Sequence, residues 1–517
     1  MNISRIASFG AIVLILLIFL SSPIVATTDV SPHFDSSIHE EDNSTTIGTH
    51  GEYSHDSIIP IADETQLTQS EIEALISRGM ARVEYIRERP FKSPVEVKLS
   101  SRQEAQQAVQ TTTSTDEDLW NDQVWEALFI IGNDESANDV ISGDLSASML
   151  GYYVSGTDEI VLIVDDEGIT IPEKTLIHEL AHAMQDQYHD LTAEKYYAPT
   201  QDMYMGVNGL IEGEAVYIET KYEEYCQSGY WECYEPNIAS SSDSVNVNLG
   251  VFLIAYQPYS DGPEYVHNIR TEAGWEGVNA MWESPPTTSR EIIHQNTRET
   301  VWPTLSDGSF ATWETFPETI GLNGADSLGE GSVFTMMWYQ DRFYGTSFFE
   351  GSTVISTPDS RYSAYDYTHP VSSELSGDII LPYKNSYGDT GFVWKTVWTS
   401  SDAANRFLTA YQTIIKQHGG FGGSGELTIP DGKFEGVFTY TQINETVYIA
   451  KAPTAEDSGT LLENTLSNED ESALQTSVDP NTYSPPTTEQ SKDSLILLSG
   501  LVALILAVSF AVYRRIH

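Results

Sequence analysis

An α+β fold is predicted, a mixed sheet joined to a helical part, and three observations predict it. Between Leu150 and Tyr188 two short strand-like runs are followed by one strongly periodic helix. That helix sets two histidines four residues apart. Helical stretches and β-branched runs then continue to about residue 450, and hydrophobic residues make up 40% of 517, enough to bury cores in two to four units of roughly 100–200 residues.

In chain order, Arg5 precedes an apolar run from Phe9 to Leu20 and a small residue at Ala26, the pattern of a secretory signal over 1–26. Residues 27–65, with His33, His39, His50 and His55 scattered among Asp, Ser and Thr, read as a disordered linker. Ile72 to Arg89 reads as a helix, and Val95 to Leu99 as a strand leading into a further helical stretch. Tyr152–Val154 and Ile160–Val164 flank Ser155-Gly156-Thr157-Asp158 and predict a hairpin. In the helix that follows, Thr170 and Glu173 have capping-box spacing and Pro172 suits the first turn. Leu176, Ile177, Leu180, Ala181, Met184 and Tyr188 recur along it every three to four residues. Beyond residue 300, Ser332–Trp338 and Ala403–Ile415 are predicted helices, Gly419 to Gly425 breaks the chain, and Val437–Thr441 with Val447–Ala450 predict a closing hairpin. The folded part thus divides into 66–300, which holds the paired histidines, and 301–451, an α+β part packed on it.

Residues 452–493 hold 17 Ser, Thr or Pro among 42 and nine acidic groups, and read as a disordered acidic stalk. Leu495–Val512 is uncharged, about 27 Å long as a helix, and runs into Arg514 and Arg515. It predicts a transmembrane helix over 494–513, a cytoplasmic tail at 514–517, and a single-pass cell-membrane location with the folded part outside. The same spacer, apolar span and basic tail also suit a sorting signal that is cut.

Asp plus Glu number 76 against 25 Lys plus Arg, a formal net charge of −51. Residues 27–493 alone carry 22 basic and 76 acidic groups. Such a balance excludes nucleic acid as a partner, because phosphate contacts require clustered cations. The Gly419 stretch follows no strand and opens no helix, so no nucleotide cofactor is expected. Self-repulsion of this size is tolerable where salt screens it over about 3 Å at 1 M, which fits a saline exterior. Cys226 and Cys233, the two cysteines of the chain, predict a disulfide in an exported segment. Asn43-Ser44-Thr45 and Asn444-Glu445-Thr446 are glycosylation sequons compatible with export.

The chemistry lies in His178-Glu179-Leu180-Ala181-His182. Two imidazoles four positions apart share one helix face and reach one metal ion, with Glu179 beside them to address a metal-bound water. With 12 histidines in 517 residues, a chance match is expected only about 0.02 times. A catalytic zinc site needs a third protein ligand and leaves a fourth position for water. Downstream, Leu210-Ile211-Glu212-Gly213-Glu214-Ala215-Val216-Tyr217 offers a second helix with carboxylates.

With that segment the sequence resembles the gluzincin metallopeptidases, in which a helix bearing Glu-Gly-x-Ala supplies the third ligand. The resemblance implies a zincin-like catalytic domain, one zinc ion (Zn2+), Glu212 as the third metal ligand after His178 and His182, Glu179 as general base, and a peptide or protein substrate. Glu214 would then point about 200° away from Glu212, to solvent. The chain is further similar to acidic, membrane-anchored archaeal and bacterial surface zincins through Gln185-Asp186-Gln187, and through Gly274-Trp275 with Pro285-Pro286-Thr287-Thr288-Ser289 leading to His294. Thermolysin-like members place an Asp four residues after the ligand Glu, where this chain has Val216, and Glu219 one turn further on is a candidate to orient a histidine. His189, His267 and His294 are candidates for an oxyanion stabiliser. The expected activity is zinc-dependent hydrolysis of peptide bonds, and the alternative is a non-catalytic envelope or binding protein that keeps the fold and the metal site.

Overall fold

A computed structural model describes residues 46–104, 114–148, 150–164, 169–236, 247–295, 300–349, 355 and 357–469. Its first half is helical around a small sheet. β1 (Thr49–His50) and β2 (Tyr53–Ser54) pair as a hairpin that lies on α1 (Gln69–Arg87). Thr68 and Glu71 cap α1 reciprocally, satisfying two end N–H groups. β3 (Glu96–Ser101) is followed by α2 (Thr115–Ala127), α3 (Ala137–Ser148), β4 (Gly151–Val154) and β5 (Glu159–Val164). The sheet order is β3-β5-β4, with β3 parallel and β4 antiparallel to β5. This half is completed by α4 (Glu173–His189), α5 (Gln201–Gln227), α6 (Leu249–Met281), whose two helical segments meet at a kink where Gly274 has φ 67°, and the short α7 (Ser289–His294). A single apolar cluster joins Leu75 and Met80 of α1, Ile160 and Leu162 of β5, Leu176 and Leu180 of α4, and Leu210 and Tyr222 of α5. The helix with the paired histidines is therefore enclosed on several sides.

The second half is an antiparallel sheet with helices on it. β6 (Trp313–Thr315) leads to α8 (Gly329–Tyr344), β7 (Leu375–Asn385), β8 (Thr390–Trp398) and α9 (Ser401–Gln417). β9 (Phe421–Gly423), β10 (Glu426–Ile429), β11 (Gly436–Ile443), β12 (Thr446–Ala452) and α10 (Ala455–Asn468) follow. The strand order is β6-β7-β8-β12-β11-β10-β9. α9, predicted over Ala403–Ile415, presents Phe407 and Tyr411 to Trp394 of β8 and buries Ile414 in the same cluster.

The structure is mixed α and β, as expected, and the 155–158 turn, the paired-histidine helix and the β11–β12 hairpin fall where they were predicted. Several boundaries differ. Residues 46–65 were read as linker, yet Ile59 is in the core and His55 stacks on Tyr85 of α1 at 3.9 Å, so this part of 27–65 is folded. The stalk over 452–493 begins too early, because α10 buries Leu461 and Leu462, and Glu469 bonds Lys395 and Tyr448. α2 belongs by sequence to the first half, but its Trp120, Val124 and Trp125 join the core of the second sheet, so no clean divide falls at 300.

The single-pass membrane location is corrected. Among the described residues no helix is long and apolar enough to cross a membrane. α5 and α6, the longest helices, are interrupted by Asp, Glu, Lys and Arg along their length. Residues 1–26, 494–513 and 514–517, on which that expectation rested, lie outside the described residues.

Candidate metal centre

α4 begins without the expected capping box. Pro172 is its N-cap and contributes no side-chain bond, while Glu173 is buried. Its carboxylate accepts from Arg78, Arg82, the Tyr222 hydroxyl and the Tyr234 N–H. Arg82 also donates to the carbonyl of Glu232, beside the disulfide that Cys226 and Cys233 form as predicted. The start of the histidine helix is thus fastened to α1, α5 and the disulfide loop.

Further along α4, His178 and His182 present Nε2 atoms to each other at 2.9 Å. Glu212 Oε2 stands 3.3 Å from the first and 3.2 Å from the second. α5 and α6 cross closely next to Glu212. A Cβ on Gly213 would lie 2.6 Å from the Gly262 backbone, and one on Gly262 would lie 2.5 Å from the Gly209 carbonyl. The Nδ1 atoms face away from the triad. That of His178 lies 3.1 Å from Glu219 Oε2, whose other oxygen binds Lys174 at 2.8 Å. That of His182 lies 2.9 Å from Gln185 Oε1. Glu219 follows Glu212 by seven residues and so shares its face of α5, which gives it the orienting role proposed for it.

His178, His182 and Glu212 are 0%, 2% and 1% exposed, and Glu179 is 0% exposed. Burial acts on Glu179, Glu212 and His178 but decides the outcome only at Glu179. It raises Glu179 to about 7. It would raise Glu212 too, but His182 and His178 outweigh it and hold that carboxyl down at about 2. Burial would lower His178, and Glu212 and Glu219 outweigh it, carrying the imidazole up to about 10. Both oxygens of Glu179 and Glu212 Oε2 are buried without a directed hydrogen bond.

The residues fit a zinc ion. Two imidazoles and a carboxylate are a donor set that catalytic zinc uses, and bonds of about 2.0–2.1 Å in tetrahedral directions separate ligand atoms by roughly 3.3 Å. The observed triangle of 2.9, 3.2 and 3.3 Å needs to open by only a few tenths of an ångström.

The other candidates are engaged elsewhere. His189 stacks on Trp282 at 4.5 Å, and burial lowers it to about 4. His267 stacks on Tyr362 at 4.1 Å, and His294 bonds the buried Glu330 at 2.9 Å. Thr288 and Ser289 form the capped start of α7, wedged where a Cβ on Gly206 would meet the Thr288 N at 2.2 Å. Glu214 does not reach solvent. It is buried against Arg87 at 2.6 Å and the Trp282 indole at 2.7 Å. Tyr259 of α6, which no sequence signal marked, hydrogen-bonds Glu212, and its hydroxyl is driven well above the usual range by burial and then by that carboxylate.

Residues 318–462 match a family model described as Domain of unknown function (DUF8575). The match runs from before α8 into α10 and includes none of His178, Glu179, His182 and Glu212. No curated protein and no solved structure matches the chain.

Proposed function

We propose that this chain is a zinc-dependent peptidase that holds one zinc ion through His178, His182 and Glu212 and uses Glu179 as general base. The observation that carries the reading is the convergence of two Nε2 atoms and a carboxylate oxygen beside a second carboxylate with both oxygens unpartnered. Bound there, zinc would polarise a carbonyl and supply a water of lowered pKa. Glu179 accepts a proton from the attacking water and returns it to the leaving amine. Glu219 holds the His178 ring, and Tyr259 supplies a hydroxyl donor on the Glu212 side of the site. A three-stranded sheet packed on α4, with α5 packed in turn on α4, suits a zincin-like arrangement, and the choice of a peptide or protein substrate rests on the gluzincin resemblance.

One observation favours a second reading. All four residues are 2% exposed or less, as suits a closed metal site in a non-catalytic binding protein. Zinc stoichiometry and cleavage of a denatured protein mixture separate the two. The peptidase reading expects one zinc per chain, cleavage stopped by a chelator, and a loss of about 10²–10⁴-fold in Glu179→Gln with zinc retained. Zinc without cleavage selects the binding protein, and unchanged metal content in His178→Ala would falsify the ligand set.

A further inference from the structure

We infer that Gln185 is a positioning residue that locks the two metal-bearing helices into register, an inference that rests on the metal reading above. Gln185 follows His182 by three residues, so both lie on one side of α4, and it is 2% exposed. Its Oε1 lies 2.9 Å from His182 Nδ1, and its Nε2 donates to the carbonyl oxygen of Ile211 at 2.9 Å. Ile211 immediately precedes Glu212 on α5.

The direction of this amide is forced. A backbone carbonyl only accepts, so the NH2 end must face Ile211, and the reversed amide would set oxygen against oxygen. Oxygen then faces the imidazole, and His182 Nδ1 must carry the proton. The lone pair of His182 consequently sits on Nε2, pointing at His178 and Glu212. One neutral side chain thereby fixes the tautomer of a ligand on α4 and ties it to the peptide group next to the ligand on α5. His178 is strapped to the same helix by Glu219, which is charged and shared with Lys174. Only on the His182 side does the strap depend on a group that both accepts and donates.

Two substitutions in the full chain divide these roles. Gln185→Leu removes both bonds at similar size. Gln185→Glu still accepts from Nδ1–H, yet its carboxylate faces the Ile211 carbonyl with nothing to donate. Zinc affinity is read by competition with a chromophoric chelator, folding by circular dichroism, and ligand geometry by the visible absorption of the cobalt(II) form. The expected result is zinc binding about 10–100-fold weaker in both variants, with an altered cobalt spectrum and native helix content. Wild-type affinity in Gln185→Leu overturns the positioning role, and wild-type affinity in Gln185→Glu overturns the bridge between helices. If the unmodified chain takes up no zinc, the metal reading falls and this inference with it. Zinc on the unmodified chain and undiminished binding in the variants would remove this inference alone.

Discussion

Two sets of buried carboxylates in this molecule are stabilised in opposite ways. In the helical half, Glu173 sits between Arg78 and Arg82, Glu214 is paired with Arg87, and Glu219 with Lys174. At the junction with the seven-stranded sheet, Asp202, Asp326 and Asp378 are held by neutral groups. Ser289 donates to Asp202, and the Gln201 and Ser327 N–H groups donate to Asp326. The Leu328 and Gly329 N–H groups and the Trp394 indole donate to Asp378. Burial outweighs these bonds, lifting Asp202 to about 7, Asp326 to about 8, and Asp378 above its ordinary range. Cations thus neutralise these carboxylates around the histidine helix, whereas at the junction burial favours the protonated acids.

The largest effect is expected from breaking the paired set. Glu173→Gln leaves two guanidinium groups buried around a neutral amide, and an ion pair broken on one side costs about 3–5 kcal/mol. Urea unfolding should show this as a fall in midpoint at constant slope. A change under 1 kcal/mol would mean that the Ser57, His55 and Glu232 carbonyls, which also accept from these arginines, carry the compensation.

The junction set is tested by pH. Asp326 has a pKa raised from 3.8 to about 8 on folding, so between these values the folded state binds more protons than the unfolded. Its contribution to stability is complete below about pH 4 and is lost as pH rises to about 8. Asp326→Asn keeps an oxygen for the Gln201 and Ser327 N–H groups and has no proton to lose. The variant should remove most of the decline between about pH 4 and 9, several kcal/mol at about 1.4 kcal/mol per pKa unit, seen as a flatter plot of unfolding midpoint against pH. Parallel plots for variant and wild type would mean that Asp326 is ionised at neutral pH and that the two sets do not differ as described.

What was legible in the sequence follows the same division between local and distant causes. The 155–158 hairpin and the histidine helix were readable because a turn, a period of 3.6 and a four-residue spacing are local. Glu173 was misread because its spacing from Thr170 suits a cap, while its actual partners lie on α1, some ninety residues earlier. Glu214 was sent to solvent by its angle on α5, but a helix wheel gives direction only, and Arg87 and Trp282 stand in that direction. No helix was expected over Leu249–Met281, where Pro258, Gly262, Pro263 and Gly274 interrupt a helical pattern. Gly262 is there because the crossing with Gly213 tolerates no side chain. Tyr259 was hidden with that helix. α10 was lost in a Ser- and Thr-rich acidic stretch whose buried leucines are few.

The smallest effect sharpens the comparison at the covalent anchor of the paired set. Cys226–Cys233 closes a loop from which the Glu232 carbonyl reaches Arg82 and just beyond which the Tyr234 N–H reaches Glu173. A closed loop of this length is worth about 2–2.5 kcal/mol through the entropy of the unfolded chain. If the disulfide acts only in that way, replacing both cysteines with serine lowers the unfolding midpoint by this amount and leaves zinc affinity unchanged. If the loop also holds the start of α4, zinc affinity falls as well, because Glu173 lies five residues before His178 on the same rigid helix. Measuring midpoint and affinity on one preparation separates the two cases. Unchanged affinity would confine the influence of the paired set to stability.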